Sequence, residues 1–248
     1  MEKVVLITGG SLGIGKSLVK IFASNGYNII FTYLTNKEKA LKLKKEIEDN
    51  YRVKVLTKKI DISNEDDIKE MIKDINNYFK KIDILINNAS HYKDNSYLNK
   101  SKEEFLRVLE VNVVGTFLIT KYILTLMDNG IVINISSRDA YDTYNDLSMD
   151  YCASKAGINS LTKTFSLANT NNKFISIMLP FVNTESIKEM YEEYLKEELK
   201  RTNQKRLIEP SEVAESIYKL VNDKKLKTGD IKILDIDGSD KICIKNLE

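Results

Sequence analysis

Tyr151-Cys152-Ala153-Ser154-Lys155 sets a phenol and an ammonium four residues apart. On a helix, positions i and i+4 share a face. A free phenol has a pKa of about 10 and yields little phenolate at neutral pH. A nearby ammonium favours the phenolate, which would make Tyr151 an acid–base group with Lys155 as its tuner. Taken alone, the pair equally fits a plain surface contact. A second chemistry-bearing stretch lies near the start of the chain. Thr8-Gly9-Gly10-Ser11-Leu12-Gly13-Ile14-Gly15 follows the apolar run Val4–Ile7 and opens a helical pattern of Ile14, Leu18, Ile21 and Phe22. Strand, glycine turn and helix form the setting of a dinucleotide site. Gly9 makes the tight turn, Gly13 admits a pyrophosphate, and Gly15 lets the helix pack on the strand. The anion would meet free N–H groups at the positive end of the helix.

The elements that must position these groups follow from periodicity. Strands are expected over 4–7, 27–33, 53–60, 82–86, 131–135, 174–179 and 231–236. Helices are expected after the glycine turn and over 37–50, 64–79, 101–127, 150–168, 185–201 and 210–221. Ser63 or Asn64 caps the third helix, with acids in its first turn. This alternation predicts one doubly wound α/β domain over 1–248, with helices on both faces of a mostly parallel seven-stranded sheet. A reversal between strands one and four would put a ligand over Gly9–Gly15. Residues 183–209 form an insertion in which Ile187, Met190, Tyr191, Tyr194 and Leu195 make an apolar stripe suited to a substrate lid.

Bulk properties exclude other classes. Lys plus Arg is 38 and Asp plus Glu is 36, a net charge of +2 that argues for neither nucleic acid nor an anionic membrane as partner. No stretch approaches the roughly 20 apolar residues of a membrane span. Val4–Ile7 runs straight into the glycine turn, which is not the pattern of a secretion signal. With Cys152 and Cys243 as the sole cysteines, a disulfide framework is not expected and a reducing cytoplasm fits. His91 is the lone histidine, so no metal site is expected.

The glycine turn, Asn87-Asn88-Ala89, Asn112, Ser136-Ser137 and Tyr151/Lys155 occur in order on one α/β pattern. In this combination the chain, from Val4 to Gly238, resembles the short-chain dehydrogenase/reductase family, including its 3-oxoacyl-carrier-protein reductase-like members. The resemblance implies hydride transfer between a nicotinamide and a carbonyl or alcohol carbon. It implies that Gly9, Gly13 and Gly15 line the pyrophosphate, with Ser11, Leu12 and Ile14 supplying backbone. Asp61, followed by Ile62, would meet the adenine amino group. Asn88 and Ala89 would pass under the adenine ribose and stabilise the sheet. Asn112 would kink its helix and hold a proton-relay water. Lys155 would also bind the nicotinamide ribose, and Pro180 and Thr184 would contact the carboxamide. Ser137 would hold the substrate oxygen, with Ser136 as the fallback. The family's serine usually lies thirteen residues before the tyrosine, where this chain has Arg138; Ser137 lies fourteen before. Phe181 replaces the usual glycine after Pro180, Ser176 a common asparagine, and Ser90 a common glycine.

A carboxylate at the end of strand two usually selects NAD. Here that stretch reads Tyr33-Leu34-Thr35-Asn36, and no acid occurs before Glu38. The residues therefore favour NADP(H) over NAD(H), with Thr35, Asn36 and Lys37 as donors to a 2′-phosphate. Leu12 counts against this, since NADP-using relatives often carry a basic residue there. The substrate is either a 3-oxoacyl thioester or a small polar ketone or sugar. Asp139, Asp142, Asp146 and Asp150, with Tyr141 and Tyr144, form a loop that suits a polar, hydroxylated or cationic substrate, or simply faces solvent. Met127-Asp128-Asn129-Gly130 lacks the basic residues an acidic carrier would want. The resemblance also implies a homodimer or homotetramer built on 101–127 and 150–168. The alternative is a dinucleotide-sensing protein without catalysis, which would tend to lose the tyrosine or the lysine.

Overall fold

The computed structural model describes residues 2–188, 192–237 and 239–247. Its eight strands are β1 (Val4–Ile7), β2 (Asn28–Tyr33), β3 (Val55–Lys59), β4 (Ile84–Asn87), β5 (Ile131–Ser137), β6 (Lys173–Leu179), β7 (Ile231–Ile236) and β8 (Ile242–Asn246). They form one sheet in the order β3-β2-β1-β4-β5-β6-β7-β8. All pairings are parallel except β7 with β8. The chain reverses direction across the sheet between β1 and β4, and the crevice at that switch point is where such sheets bind ligands.

Strands β1, β2 and β4 are buried throughout, as parallel strands covered on both faces must be. One core cluster packs Phe22, Phe31 and Ile217 on one face; another packs Ile68, Met71 and Phe174 on the other. Helices α1 (Gly13–Ser24), α2 (Lys37–Asn50) and α9 (Pro210–Val221) cover the first face. The second is covered by α3 (Glu65–Tyr78), α5 (Thr116–Ile123) and α6 (Met149–Ala168), with α4 (Lys102–Leu109) packed against α6. Among the described residues the insertion adds the helical segments α7 (Glu185–Lys188) and α8 (Glu192–Arg201).

Three expectations change. The sheet has an eighth strand: Asp237 nucleates a tight hairpin by accepting the Ser239 and Lys241 N–H groups at 2.8 and 3.0 Å, and Ile242 and Ile244 then pack on the core. In the insertion, Glu185–Lys188 and Glu192–Arg201 are helical; Met190 and Tyr191 of its apolar stripe lie outside the described residues, as does Gly238. The expected long helix is interrupted by a π turn over Glu110–Gly115. The stretch Lys102–Leu126 also corrects the reading on apolar length. Over 25 residues, with a mean hydropathy of 1.4 in its best window, it is long and apolar enough to span a membrane by length and composition. Half of that window is buried in the fold, with Ile119 and Ile123 wholly so.

Candidate active site

The glycine turn links β1 to α1. Gly9 and Gly13 have φ of +65° and +49°, a region open to glycine. A Cβ on Gly15 would stand 2.1 Å from the Gly9 carbonyl, so the helix can start here only without a side chain. Leu12 precedes α1 and no side chain caps its first turn, which also carries no acid. Those N–H groups stay available to an anion, so the turn fits a dinucleotide pyrophosphate. Ser11 is buried, and Ile14 lines the cleft above. Thr184 sits opposite Gly13, its methyl 3.3 Å from where a Cβ would be, with Glu185 beside it.

Asn88 clamps the turn from β4. Its Nδ2 donates to the Thr8 and Gly9 carbonyls at 2.9 and 3.2 Å, while Thr8 Oγ1 accepts from the Asn88 and Ala89 N–H groups at 3.0 Å. The expected sheet-stabilising part of these residues is therefore present. β2 ends at Tyr33, outside the lining of the cleft, and in the turn that follows Asn36 Nδ2 donates to Thr35 Oγ1 at 3.2 Å. Lys59 was not foreseen here: it pairs with Tyr33 in the register of β2 and β3 and is exposed. Asp61 has partners of its own. One oxygen accepts from Ser63 N and Oγ at 3.0 and 2.6 Å, the other from Arg107 at 2.6 Å. Only its remaining lone pairs are left for an adenine amine, and these bonds hold its carboxyl below the usual range despite burial. Ile62 is buried against Gly115.

A cleft opens to solvent over the C-terminal strand ends, where such sheets bind ligands. Ser137, Tyr151, Lys155, Pro180 and Thr184 all line it. Ser137 ends β5 and lies opposite Leu179 in the sheet register, so Pro180 follows directly across the cleft. Ser136 Oγ donates to the Lys155 carbonyl at 3.2 Å and is spent on α6. Ser137 Oγ faces the Tyr151 hydroxyl and accepts the Asp139 N–H at 3.2 Å. Arg138, in the position thirteen before Tyr151, turns its guanidinium onto Asp142 at 2.6 Å.

Tyr151 and Lys155 share the inner face of α6, as their spacing predicts. Lys155 Nζ donates to the Ile135 carbonyl at 2.9 Å and stands 5.2 Å from the centre of the Tyr151 ring. The electrostatics differ from expectation. Burial raises the Tyr151 phenol well above its ordinary value and the Asp139 charge adds to this, while the bond to Ser137 acts the other way. Burial pulls Lys155 down to about 8, against the Asp139 charge. Burial thus keeps Tyr151 a neutral donor, with the ammonium over its ring.

Asn112 is fully buried in the π turn behind the cleft. Its Oδ1 accepts from the His91 N–H and Ser90 Oγ at 2.7 and 3.2 Å; its Nδ2 donates to the His91 carbonyl and Ser154 Oγ at 2.9 Å each. That side chain is saturated by protein and ties the loop after β4 to α6. Nothing in the loop composition marked Tyr92, which meets Tyr151 edge-on at 6.3 Å. The acids of the 138–150 loop separate. Asp142 pairs with Arg138, Asp150 is buried against Lys100 at 2.8 Å, and Asp139 turns into the cleft. Among the described residues no cluster of metal-ligating side chains occurs.

A glycine-cradled helix start at the switch point, with a tyrosine and a lysine above it, defines a nicotinamide-dependent oxidoreductase fold. Comparison with known proteins gives the family. The short chain dehydrogenase family profile matches residues 3–195, and the chain belongs to that family: an oxidoreductase acting on CH–OH or C=O groups with NAD(P). It is 32% identical to the 3-oxoacyl-[acyl-carrier-protein] reductase of Thermotoga maritima, over 95% of this chain and 96% of that protein. A short-chain dehydrogenase/reductase of Serratia marcescens superposes with a TM-score of 0.87 at 26% identity, covering 94% of this chain and 96% of the other. A short chain dehydrogenase of Bacillus anthracis gives 0.79 at 30% identity, covering 94% and 95%.

Proposed function

We propose that this chain is an NADP(H)-preferring carbonyl reductase working through Ser137, Tyr151, Lys155 and Asn112. The observation that carries the reading is the meeting of Ser137, Tyr151 and Lys155 in one cleft above the uncapped start of α1. A bound nicotinamide supplies the hydride. Ser137 donates its hydroxyl to the substrate oxygen and holds it beside Tyr151. Tyr151, neutral because buried, gives its proton to that oxygen as negative charge develops there. The carbonyl carbon thus gains a hydride and its oxygen a proton, giving the alcohol. Lys155 then stabilises the phenolate until it is reprotonated. Asn112 serves this return of the proton through the main chain of its widened turn, since its side chain has no free donor or acceptor.

Gly9, Ser11, Leu12, Gly13, Ile14 and Gly15 hold the pyrophosphate, and Asn88 and Ala89 brace that turn. Asp61 and Ile62 border the adenine, Pro180 and Thr184 the nicotinamide. Tyr33, Thr35 and Asn36 lie at the ribose, and the absence of an acid among them supports NADP(H). Lys59, exposed opposite Tyr33, adds a cation beside Lys37 for a 2′-phosphate. Residues 183–209 act as a lid over the cleft of a single domain. Tyr194 accepts from Asn145 at 3.1 Å, and Gln204 grips the Phe181 main chain, which supports this placement. Exposed Leu106, Val114, Phe117 and Leu167 support a homodimer or homotetramer. Two free thiols fit a cytoplasmic protein.

The substrate is a small polar ketone or a 3-oxoacyl thioester such as the one named for the Thermotoga relative. The test is oxidation of NADPH and of NADH by purified protein with a panel of both substrate types. NADPH should be consumed faster, with at least one ketone. Tight NADPH binding with no consumption on any substrate would favour the sensing alternative.

A further inference from the structure

We infer that the substrate carries a positively charged group near its reacting carbonyl, held by Asp139 together with Asp94; this rests on the reductase reading above. Beyond Ser137 and Tyr151 the cleft wall turns polar, with Asp94, Asp139, Thr143, Asn145, Thr202 and Gln204. Asp139 stands two residues past Ser137 and is tied to it through its N–H. Its carboxylate accepts from Thr143 Oγ1 at 2.8 Å, and among the described residues it has no ion-pair partner. Its charge is felt at Tyr151, Cys152 and Lys155, which puts it beside the reacting groups. Asp94 comes from the loop between β4 and α4, close enough for the two carboxylates to repel each other.

Of the nearby cations, Lys155 feels the Asp139 charge but turns its Nζ onto the Ile135 carbonyl, and three more are committed to other acids. Arg138 pairs with Asp142 at 2.6 Å, Arg201 with Glu198 at 2.6 Å, and Lys100 with Asp150 at 2.8 Å. Asp94 is exposed, so the standing cost of a partly dehydrated carboxylate without an ion-pair partner falls on Asp139. A cationic substrate relieves that cost, a neutral one leaves it, and an acidic carrier protein adds to it by repulsion. The lid contributes Thr202 and Gln204 to the same wall, and its Arg201, already paired with Glu198, reaches Asp139 only through its charge. The chemistry read from the wall is that of a small aminoketone, or of its amino alcohol in the reverse direction.

The test uses three ketones of one skeleton, CH₃COCH₂CH₂X, with X an ammonium, a hydroxyl or a methyl group, and an acetoacetyl thioester. Each is assayed with NADPH at low and high salt. The ammonium compound should show kcat/KM about tenfold or more above the other three, and the advantage should shrink with salt. Asp139→Asn, and separately Asp94→Asn, should pull the ratio of ammonium to hydroxyl compound towards one. Equal or better turnover of the hydroxyl, methyl or thioester compound by the wild-type protein would overturn the inference and leave the reductase reading intact. Failure of all four to oxidise NADPH would overturn both.

Discussion

Tyr151 and Lys155 are both buried, and burial pushes their titrations in opposite directions: the phenol up, the ammonium down to about 8. Between them they keep a protonated donor beside a cation at neutral pH. As pH rises through about 8, Lys155 loses its proton and the support for phenolate with it. The pH profile of kcat/KM for reduction should therefore be level below that point and fall above it. A profile still level two units higher would contradict the assignment. The same shift bears on stability. Between about 8 and the ordinary 10.5, the native state has shed a proton the unfolded chain still holds, so this group adds stability as pH rises through that window. The serines separate by experiment too. Ser137→Ala should lower kcat by about 10²–10³-fold. Ser136→Ala, which loses a bond to the α6 main chain, should cost about 1 kcal/mol of stability, read as a lower Tm, with kcat much less affected. Tyr151, Lys155 and Ser137 were legible because their spacing and neighbours are distinctive. Asp139 was not, since four acids of one loop look alike until Arg138 claims Asp142 and Lys100 claims Asp150.

At the level of elements, the strand–turn–helix at the start and the alternation behind it could be read directly, because glycine spacing and apolar runs report backbone needs. The π turn at Asn112 was foreseen only as the helix kink that the family resemblance implies. Val111-Asn112-Val113 by itself carries an ordinary helical pattern, and the bonds of Asn112 to His91 and Ser154 appear only in the fold. β8 escaped for a similar reason: Ile242 and Ile244 are a two-residue alternation that gains meaning only beside β7. The glycine turn gives the sharpest prediction at this scale. Gly15→Ala places a methyl group 2.1 Å from the Gly9 carbonyl, so the turn must shift and NADPH binding should be lost. Asn88→Ala removes two bonds to the same turn and should cost about 1–3 kcal/mol, measurable by denaturant titration, with weaker NADPH binding. Unchanged NADPH affinity in both variants would show that the turn does not hold the cofactor.

The whole molecule gathers the glycine turn, Tyr151 and the acids proposed to meet substrate over the C-terminal strand ends of a single sheet. Its other side presents exposed apolar residues on α4, α5, α6 and the turn between α4 and α5, which is where copies of the chain are expected to meet. Light scattering should give two or four times the chain mass of 28.4 kDa, and a Leu106→Lys, Phe117→Lys double variant should shift the protein towards monomer. A wild-type protein that stays monomeric at assay concentration would remove that expectation without touching the chemistry. The chemistry is decided by NADPH oxidation with a responsive ketone in wild type and Tyr151→Phe, with NADPH binding titrated in both. Both proteins should bind NADPH alike, and the variant should turn over about 10²–10⁴-fold more slowly. Wild-type turnover by the phenylalanine variant would contradict the central claim that this buried phenol delivers the proton.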